Sequence, residues 1–252
     1  MKIIEKKPEK IIFQEEINES LANAIRRSVN EIPILAIEEL EITKNDSALY
    51  DEILAHRLGL VPLENQDLKS IKECDCKGKG CSKCSVSLKL STKGPKTVYS
   101  KELKGKAVPV YEKMPITVLE KAQELEFSAV ARIGKGVEHA KFSPGLVFYR
   151  NLAEIKVESD CDACLECVKA CPQDVLHIEN KKLKTKELWK CDLCEACVEA
   201  CKKHGKKAIQ VSPTKELVFF IESFGQIKAE EILKNSINAL KSNLKELEKK
   251  IK

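Results

Sequence analysis

The sequence lacks any long hydrophobic run. Its longest apolar stretches, such as residues 217–221, are far shorter than the roughly 18 residues of a membrane-spanning helix. Residues 1–7 mix charged and apolar side chains and contain no apolar core of the length that a secretory signal requires. We therefore expect a cytoplasmic protein with no membrane association.

Aromatic residues are also scarce, at 5% of the chain, and the 44 basic and 39 acidic residues leave a net charge of only +5. Proteins dedicated to nucleic-acid binding combine clustered basic charge with aromatic side chains for base stacking. The composition argues against that class, so we expect any contact with DNA to be indirect.

Signatures of catalysis are missing as well. The sequence has no phosphate-binding Gly-x4-Gly-Lys-Ser/Thr loop and no Gly-x-Ser-x-Gly nucleophile elbow. The four histidines are scattered and have no acidic partner at a useful spacing: His56, His139, His177 and His204. The chain is therefore predicted to carry no catalytic residues.

Cysteine, in contrast, is abundant, and all twelve residues fall into three groups with metal-ligand spacing. Such use of cysteine indicates a reducing compartment. The first group is Cys74-x-Cys76-x4-Cys81-x2-Cys84, a closed set of four thiolates that suits one structural zinc ion. Its first pair is one residue closer than in the usual zinc knuckle, so an unmetallated, partly oxidised loop is the alternative.

The other eight cysteines form a duplicated motif. The spacing Cys161-x2-Cys164-x2-Cys167-x3-Cys171 recurs thirty residues later as Cys191-x2-Cys194-x2-Cys197-x3-Cys201. This spacing is typical of 4Fe-4S ligation, in which the fourth cysteine of each repeat serves the other cluster. Zinc is the weaker alternative. The second repeat departs from the first in having Lys202 where the first has Pro172.

The duplicated motif resembles the two-cluster ferredoxins. The resemblance implies one 4Fe-4S cluster held by Cys161, Cys164, Cys167 and Cys201. It implies a second held by Cys171, Cys191, Cys194 and Cys197. The same ligands would hold a 3Fe-4S cluster if one iron were lost. Short strands at residues 175–178 and 208–211 are expected to close the two halves.

The rest of the chain predicts an α+β fold. A hairpin is expected in residues 3–13, followed by a helix that begins near Asn18 and packs through Leu21, Ile25 and Val29. Strict alternation of apolar residues predicts a strand at residues 125–133. The first helix carries Asn23, Arg26 and Arg27 on its other face, which is either a docking surface or a solvated face.

The closing segment, residues 229–252, has a narrow apolar stripe. Its members fall at alternating steps of four and three residues: Leu233, Ile237, Leu240, Leu244, Leu247 and Ile251. This is the spacing of a coiled-coil seam, and the helix would be about 36 Å long. We interpret it as half of a subunit interface. The alternative is a helix folded back on the chain's own core.

Four further motifs point to a family: LANAIRR at residues 21–27, EILAHRLGLVPL at 52–63, HAKFSP at 139–144 and ESFG at 222–225. In these motifs and their order the chain resembles the archaeal D subunit of RNA polymerase, the counterpart of the N-terminal part of the bacterial alpha subunit. The resemblance implies an alpha-type dimerisation domain in residues 1–43 and 214–252. An inserted, mostly-β domain would occupy residues 44–155 and a ferredoxin-like domain residues 156–213.

The resemblance also implies a function, that of a non-catalytic assembly subunit of a nucleotidyltransferase complex. The closing helix would pair with subunit L, small subunits N and P would join, and the platform would receive the two large catalytic subunits. Asn23, Arg26 and Arg27 would dock a large subunit. The competing hypothesis, based on the cysteines alone, is an electron-transfer subunit of an oxidoreductase. Whether the clusters are structural or redox-regulatory stays open.

Overall fold

The computed structural model describes residues 1–64 and 85–251. In chain order the elements are β1 (Lys2–Lys6), β2 (Lys10–Glu15), α1 (Glu19–Ser28), β3 (Pro33–Asn45), α2 (Asp51–Gly59), β4 (Ser85–Lys93), β5 (Lys96–Tyr99), β6 (Lys104–Gly105), β7 (Pro115–Leu119), β8 (Glu124–Lys135), β9 (Gly145–Val157), α3 (Glu166–Ala170), β10 (Leu176–Glu179), β11 (Lys182–Thr185), α4 (Ala196–Lys203), β12 (Ile209–Ser223) and α5 (Ala229–Ile251). This mixture of helices and strands confirms the predicted fold class.

The chain divides into two compact units. The first comprises Met1–Lys6, Ile11–Ala22 and Phe148–Phe220; the second comprises Lys7–Lys10, Asn23–Val147 and Ile221–Lys252. None of the described helices is long and apolar enough to span a bilayer.

The first unit contains a four-stranded sheet in the order β1-β2-β12-β9. β1 and β2 pair antiparallel, which confirms the predicted hairpin. A short strand was expected at residues 208–211, but the observed strand, β12, continues from Ile209 to Ser223. Ile12, Val218 and Phe220 are buried together on this sheet.

A second hairpin in this unit escaped the sequence prediction. β10 lies where a strand at residues 175–178 was expected, but it pairs antiparallel with β11. The two residues of the turn, Asn180 and Lys181, have φ values of 52° and 60°. Left-handed residues at both central positions match the twist of a hairpin. Two-residue hairpin turns of this kind are usually recognised by asparagine followed by glycine. Here lysine follows the asparagine, so the sequence does not indicate the turn.

The second unit is built on an antiparallel sheet in the order β3-β8-β4-β6, with a separate pair, β5 and β7. The alternation predicted for residues 125–133 is observed in β8, where Leu125, Phe127, Ala129 and Ala131 are buried. They share a core with Leu54 and Leu58 of α2. The burial of alternate residues on one face fixes the register of the sheet.

Helix α1 begins one residue after Asn18, whose Oδ1 accepts a hydrogen bond from the backbone N–H of Ser20 at 2.7 Å. The expectation that Leu21 packs inward was wrong. Leu21 is 48% exposed, while its neighbour Ala22 is fully buried. Val29 is buried as predicted and Ile25 is partly buried, so the prediction of the inward face fails at Leu21.

Two sequence motifs are explained by close packing around glycine. Gly134 on β8 leaves room for the buried ring of Phe142, because a Cβ atom there would lie 2.6 Å from that ring. Gly225, in the ESFG motif, has φ +102° and would place a Cβ atom 2.6 Å from Val110. No other residue meets both conditions at Gly225 without strain.

A charged cluster joins β3, β8 and the HAKFSP segment. The pairing of β3 with β8 shifts register between Ile37 and Glu39, and such a bulge redirects the intervening side chain. Glu38 accepts a bond from Arg132 Nη2 at 3.0 Å and pairs with Lys141 Nζ. Partial burial disfavours the charged carboxylate, but the bonds from Lys141 and Arg132 outweigh it, and the pKa of Glu38 lies below its ordinary value.

We expect Glu38→Gln to reduce the free energy of unfolding by about 0.5–1 kcal/mol at pH 7, a value discounted for partial exposure. A lowered pKa means that the carboxylate stabilises the fold above its ordinary pKa of 4.5, and that this contribution is lost as the pH falls through the folded-state value. Denaturant unfolding at pH 7 and at successively lower pH measures the difference. Glu39→Gln, at an exposed neighbour, is the control. A deficit that stays constant down to pH 3 would contradict this account.

Candidate iron–sulfur centres and candidate assembly surface

The two cysteine repeats fold into matching loops. In each loop the residue before the second cysteine and the residue after it have positive φ: Ala163 (57°) and Leu165 (70°), then Leu193 (59°) and Glu195 (59°). Left-handed residues that alternate with ordinary ones turn successive backbone N–H groups toward one concave site, a geometry found at many iron–sulfur centres. None of these four residues is glycine, so the sequence contains no conventional signal for the conformation.

The first implied ligand set comes together around one cavity. Cys161, Cys164, Cys167 and Cys201 all line it, beside Leu183, Ala208 and Ile209. Burial raises the pKa of the Cys167 thiol, and the proximity of Cys161, Cys164 and Cys201 raises it further. Cys201 of the second repeat therefore lies beside three cysteines of the first repeat, the arrangement expected for the crossed ligation that the ferredoxin resemblance implies.

The second implied set is likewise a group of neighbours. Burial raises the pKa of Cys197 to about 11, with Cys171 and Cys191 adding to the shift. Burial also raises the pKa of Cys191, and Asp192, Cys171 and Cys194 contribute. Thiols with raised pKa values are difficult to ionise unless a cation compensates the charge.

The sulfur atoms are part of the core of this region. Cys167, Cys191, Cys197 and Cys201 account for four of the ten buried residues in its apolar cluster, the others including Leu176, Leu183 and Ile209. All eight cysteines are free thiols. The donor set, the burial and the loop conformation all fit two iron–sulfur clusters, which would replace thiol–thiol packing by bonds through iron.

Acidic side chains in the cysteine loops are paired with lysines. Asp162 accepts a bond from Lys206 at 2.7 Å, and Asp174 accepts one from Lys186 at 2.7 Å. Lys206 and Lys186 hold the pKa values of these two carboxyl groups below their usual range. Asp162 is therefore an ion-pair partner in the described structure.

Preformed metal-ion geometry is absent among all the described residues, the eight cysteines of the two repeats included. Within residues 1–64 and 85–251, no group of three or more His, Cys, Asp or Glu side chains has the geometry to hold a metal ion. Cys74, Cys76, Cys81 and Cys84 lie outside the described residues, so their assignment to zinc stays a prediction.

The predicted seam lies on the outer side of helix α5. The helix packs inward through Ala229, Ile232 and Ser236, which are buried. The six seam residues, which we call the α5 ridge, are more exposed in the second half of the helix than in the first. Leu233, Ile237 and Leu240 are partly buried, whereas Leu244, Leu247 and Ile251 are 56%, 54% and 76% exposed. Every residue from 241 to 251 is exposed. The fold-back alternative therefore describes only the first turns of the helix.

The polar face of α1 has one internal contact. Arg26 donates from Nε and Nη2 to Asn23 Oδ1 at 3.2 and 2.9 Å. Arg27 is exposed. The predicted trio thus consists of one hydrogen-bonded pair and one exposed arginine, and its docking role stays a prediction.

Comparison with known domains defines the class. Residues 36–148 match the RNA polymerase Rpb3/RpoA insert domain, and residues 153–202 match a 4Fe-4S dicluster domain. The antiparallel sheet of the second unit thus lies in the part that matches an RNA polymerase insert domain, and the paired cysteine loops lie in the part that matches an iron–sulfur domain.

Whole-chain relatives define the family. The chain is 36% identical to DNA-directed RNA polymerase subunit Rpo3 of Archaeoglobus fulgidus, an alignment that covers 99% of this chain and 96% of the relative. It is 43% identical to Rpo3 of Methanothermobacter thermautotrophicus over 89% and 88% of the two chains. For Rpo3 of Methanosarcina acetivorans the identity is 37% over 92% and 90%. The chain belongs to the Rpo3 family of DNA-directed RNA polymerase subunits, which confirms the resemblance to the archaeal D subunit.

The crossed ligand sets predict an unusual result from paired substitutions. Cys161→Ser with Cys201→Ser removes two ligands of one candidate cluster, so about half of the iron and sulfide should remain. Cys161→Ser with Cys171→Ser removes one ligand from each set, so iron should be lost from both sites. Iron and sulfide analysis of anaerobically purified protein measures both. Uncrossed ligation would give the reverse result, with the second pair retaining one intact cluster.

Proposed function

We propose that this chain is a non-catalytic assembly subunit of an archaeal-type RNA polymerase and that it pairs with the small subunit L through the α5 ridge. The exposure of Leu244, Leu247 and Ile251 carries the proposal. Fully burying a leucine or isoleucine side chain contributes roughly 1.5–3 kcal/mol. A partner helix with a matching seam would recover that free energy.

The first turns of α5 are well placed to support such an interface. Ile232 and Ala229 are fully buried, and the backbone N–H of Ala229 donates to the carbonyl oxygen of Pro8 at 2.8 Å. Ser236 is also fully buried, and its hydroxyl donates to the carbonyl oxygen of Leu233 at 2.8 Å. The helix is therefore fixed at its N-terminal end, while its C-terminal half offers apolar residues to a partner.

We infer the arrangement of the larger RNA polymerase assembly from the same family role. Residues 1–43 and 214–252 would form the dimerisation domain, residues 44–155 the insert and residues 156–213 the iron–sulfur domain. Small subunits N and P would join the pair with L, and the two large subunits would supply the catalytic residues. Asn23, Arg26 and Arg27 are proposed contacts for a large subunit. With this role the chain would work in the cytoplasm and would contact DNA only through the complex.

The proposed cofactors are two 4Fe-4S clusters with the crossed ligand sets described above. When bound, they supply iron–thiolate bonds that hold the two cysteine repeats together. The burial of Cys167, Cys191 and Cys197 supports a structural role, because bonds from these buried sulfur atoms to iron would tie the cysteine loops to the core of the region. Zinc at the Cys74 group is proposed only from its spacing.

Electron transfer is not favoured as the main function. A ferredoxin-type role would involve residues 153–202 and would leave the polymerase insert domain at residues 36–148 without a purpose. The family relationship over nearly the full chain accounts for both parts.

The interface is tested by Leu244→Glu combined with Leu247→Glu. Two carboxylates in the seam should weaken the complex with subunit L at least about 100-fold, since burying each charge in an apolar interface is costly. Co-purification and the measured Kd report the change. The chain itself should fold normally because both side chains are already exposed.

Ser242→Glu is the matched control, since it adds a negative charge to the same turn at an exposed position outside the ridge. It should leave the Kd within about threefold of the original value. Undiminished binding of L by the double variant, or no binding by the original chain, would refute the proposed interface.

A further inference from the structure

Arg150 on β9 makes an unusual set of contacts within the first unit. Its Nη2 donates to the carbonyl oxygens of Trp189 and Lys190 at 2.9 and 3.1 Å. The guanidinium lies over the ring of Phe220, 4.8 Å from the centroid. Its Nε atom is buried and has no hydrogen-bond partner in the described structure. One cationic side chain thus joins two consecutive carbonyl groups to an aromatic residue of β12, a contact that we call the Arg150 bridge.

The two carbonyl groups directly precede a candidate cluster ligand. Residues Leu188–Lys190 form a 3-10 turn, and the backbone N–H of Cys191 donates to the carbonyl oxygen of Leu188 at 3.0 Å. The turn therefore sets where Cys191 lies, and Cys191 is buried. Any displacement of this cysteine would pull on the carbonyl groups that Arg150 binds.

Aromatic contacts extend the same connection into the sheet. The ring of Trp189 lies 6.3 Å from that of Phe220, centroid to centroid, and Phe220 stacks on Phe148 at 4.6 Å. Trp189 also packs against the buried cluster that contains Ile12 and Phe220. An unbroken series of contacts thus runs from Cys191 to strand β12.

The first repeat is held differently. Cys161 follows Ser159 and Asp160, and its backbone N–H donates to the carbonyl oxygen of Glu158 at 3.3 Å. Glu158 in turn donates from its backbone N–H to the carbonyl oxygen of Ala208 at 2.9 Å. The corresponding segment is therefore tied by backbone bonds, and the arginine bridge belongs to the Cys191 side.

We propose that Arg150 is a positioning residue for the cluster site of Cys171, Cys191, Cys194 and Cys197, and that occupancy of this site alone sets the packing of Phe220 on β12. The inference rests on the proposed ligand sets. Hydrogen bonds from a charged donor are stronger than neutral ones, and loss of the two acceptors would leave a partly buried guanidinium unpaired. Because coupling is reciprocal, the bridge should retain iron at this site, and bound iron should tighten the sheet.

Iron release from the anaerobically loaded full chain into excess chelator tests the first half of the proposal. In Arg150→Met, about half of the iron should leave on the order of tenfold faster, while the other half leaves at the original rate. Arg150→Lys, which keeps the charge but lacks the planar guanidinium that lies over Phe220, should give an intermediate rate. Arg132→Met is the matched control: Arg132 also lies over an aromatic ring, that of Phe142 at 5.0 Å, and its loss should lower Tm without changing iron release.

Hydrogen exchange of residues 217–220 tests the second half. Loading with iron and sulfide should slow exchange in the original chain and leave it unchanged in Arg150→Met. Equal acceleration of both halves of the iron, or of neither, would overturn the positioning role. Failure of the original chain to bind iron at all would overturn the ligand assignment and this inference with it, whereas normal loading with unchanged release would overturn only the Arg150 bridge.

Discussion

The assembly role proposed for this chain depends on an apolar surface of helix α5 that the described structure leaves exposed. The buried residues of helix α5 are Ala229, Ile232 and Ser236, and the ridge ends in Leu244, Leu247 and Ile251, all more than half exposed. The regular spacing of that ridge is typical of a coiled-coil seam, and we propose that subunit L supplies the matching helix. The proposed assembly role follows from this exposed apolar ridge and from membership in the Rpo3 family.

The apolar core of the cysteine-rich region contains an unusual share of cysteine. Four of its ten buried apolar-cluster residues are cysteines, and burial raises the pKa values of three of them, Cys167, Cys191 and Cys197. Such a core would gain stability from bound iron, because the ligands come together only in the folded chain and metal binding is then coupled to folding. The Arg150 bridge would carry that stabilisation into the neighbouring sheet of the same unit, so that cofactor loading would influence more than the cysteine loops.

The parts that sequence predicted well are those set by spacing. The cysteine repeats, the alternation in β8 and the α5 ridge each repeat a period that their geometry requires. Prediction from the sequence failed for features that depend on local backbone conformation or on contacts between residues far apart in the chain. The neighbouring sequence does not indicate three of the observed features. These are the bulge at Glu38, the left-handed conformation of Leu165 and Glu195, and the burial of Ala22 in place of Leu21. In the sequence, nothing distinguishes Arg150 from an ordinary charged residue. Its role is visible only in the fold, where β9 lies beside the turn that precedes Cys191.

Native mass spectrometry of the chain co-produced with subunit L under anaerobic conditions tests the central claim most directly. The account predicts one copy of each subunit in a single complex that retains about eight iron atoms, as two 4Fe-4S clusters require. A chain that stays monomeric in the presence of L, with the α5 ridge still exposed to solvent, would contradict it.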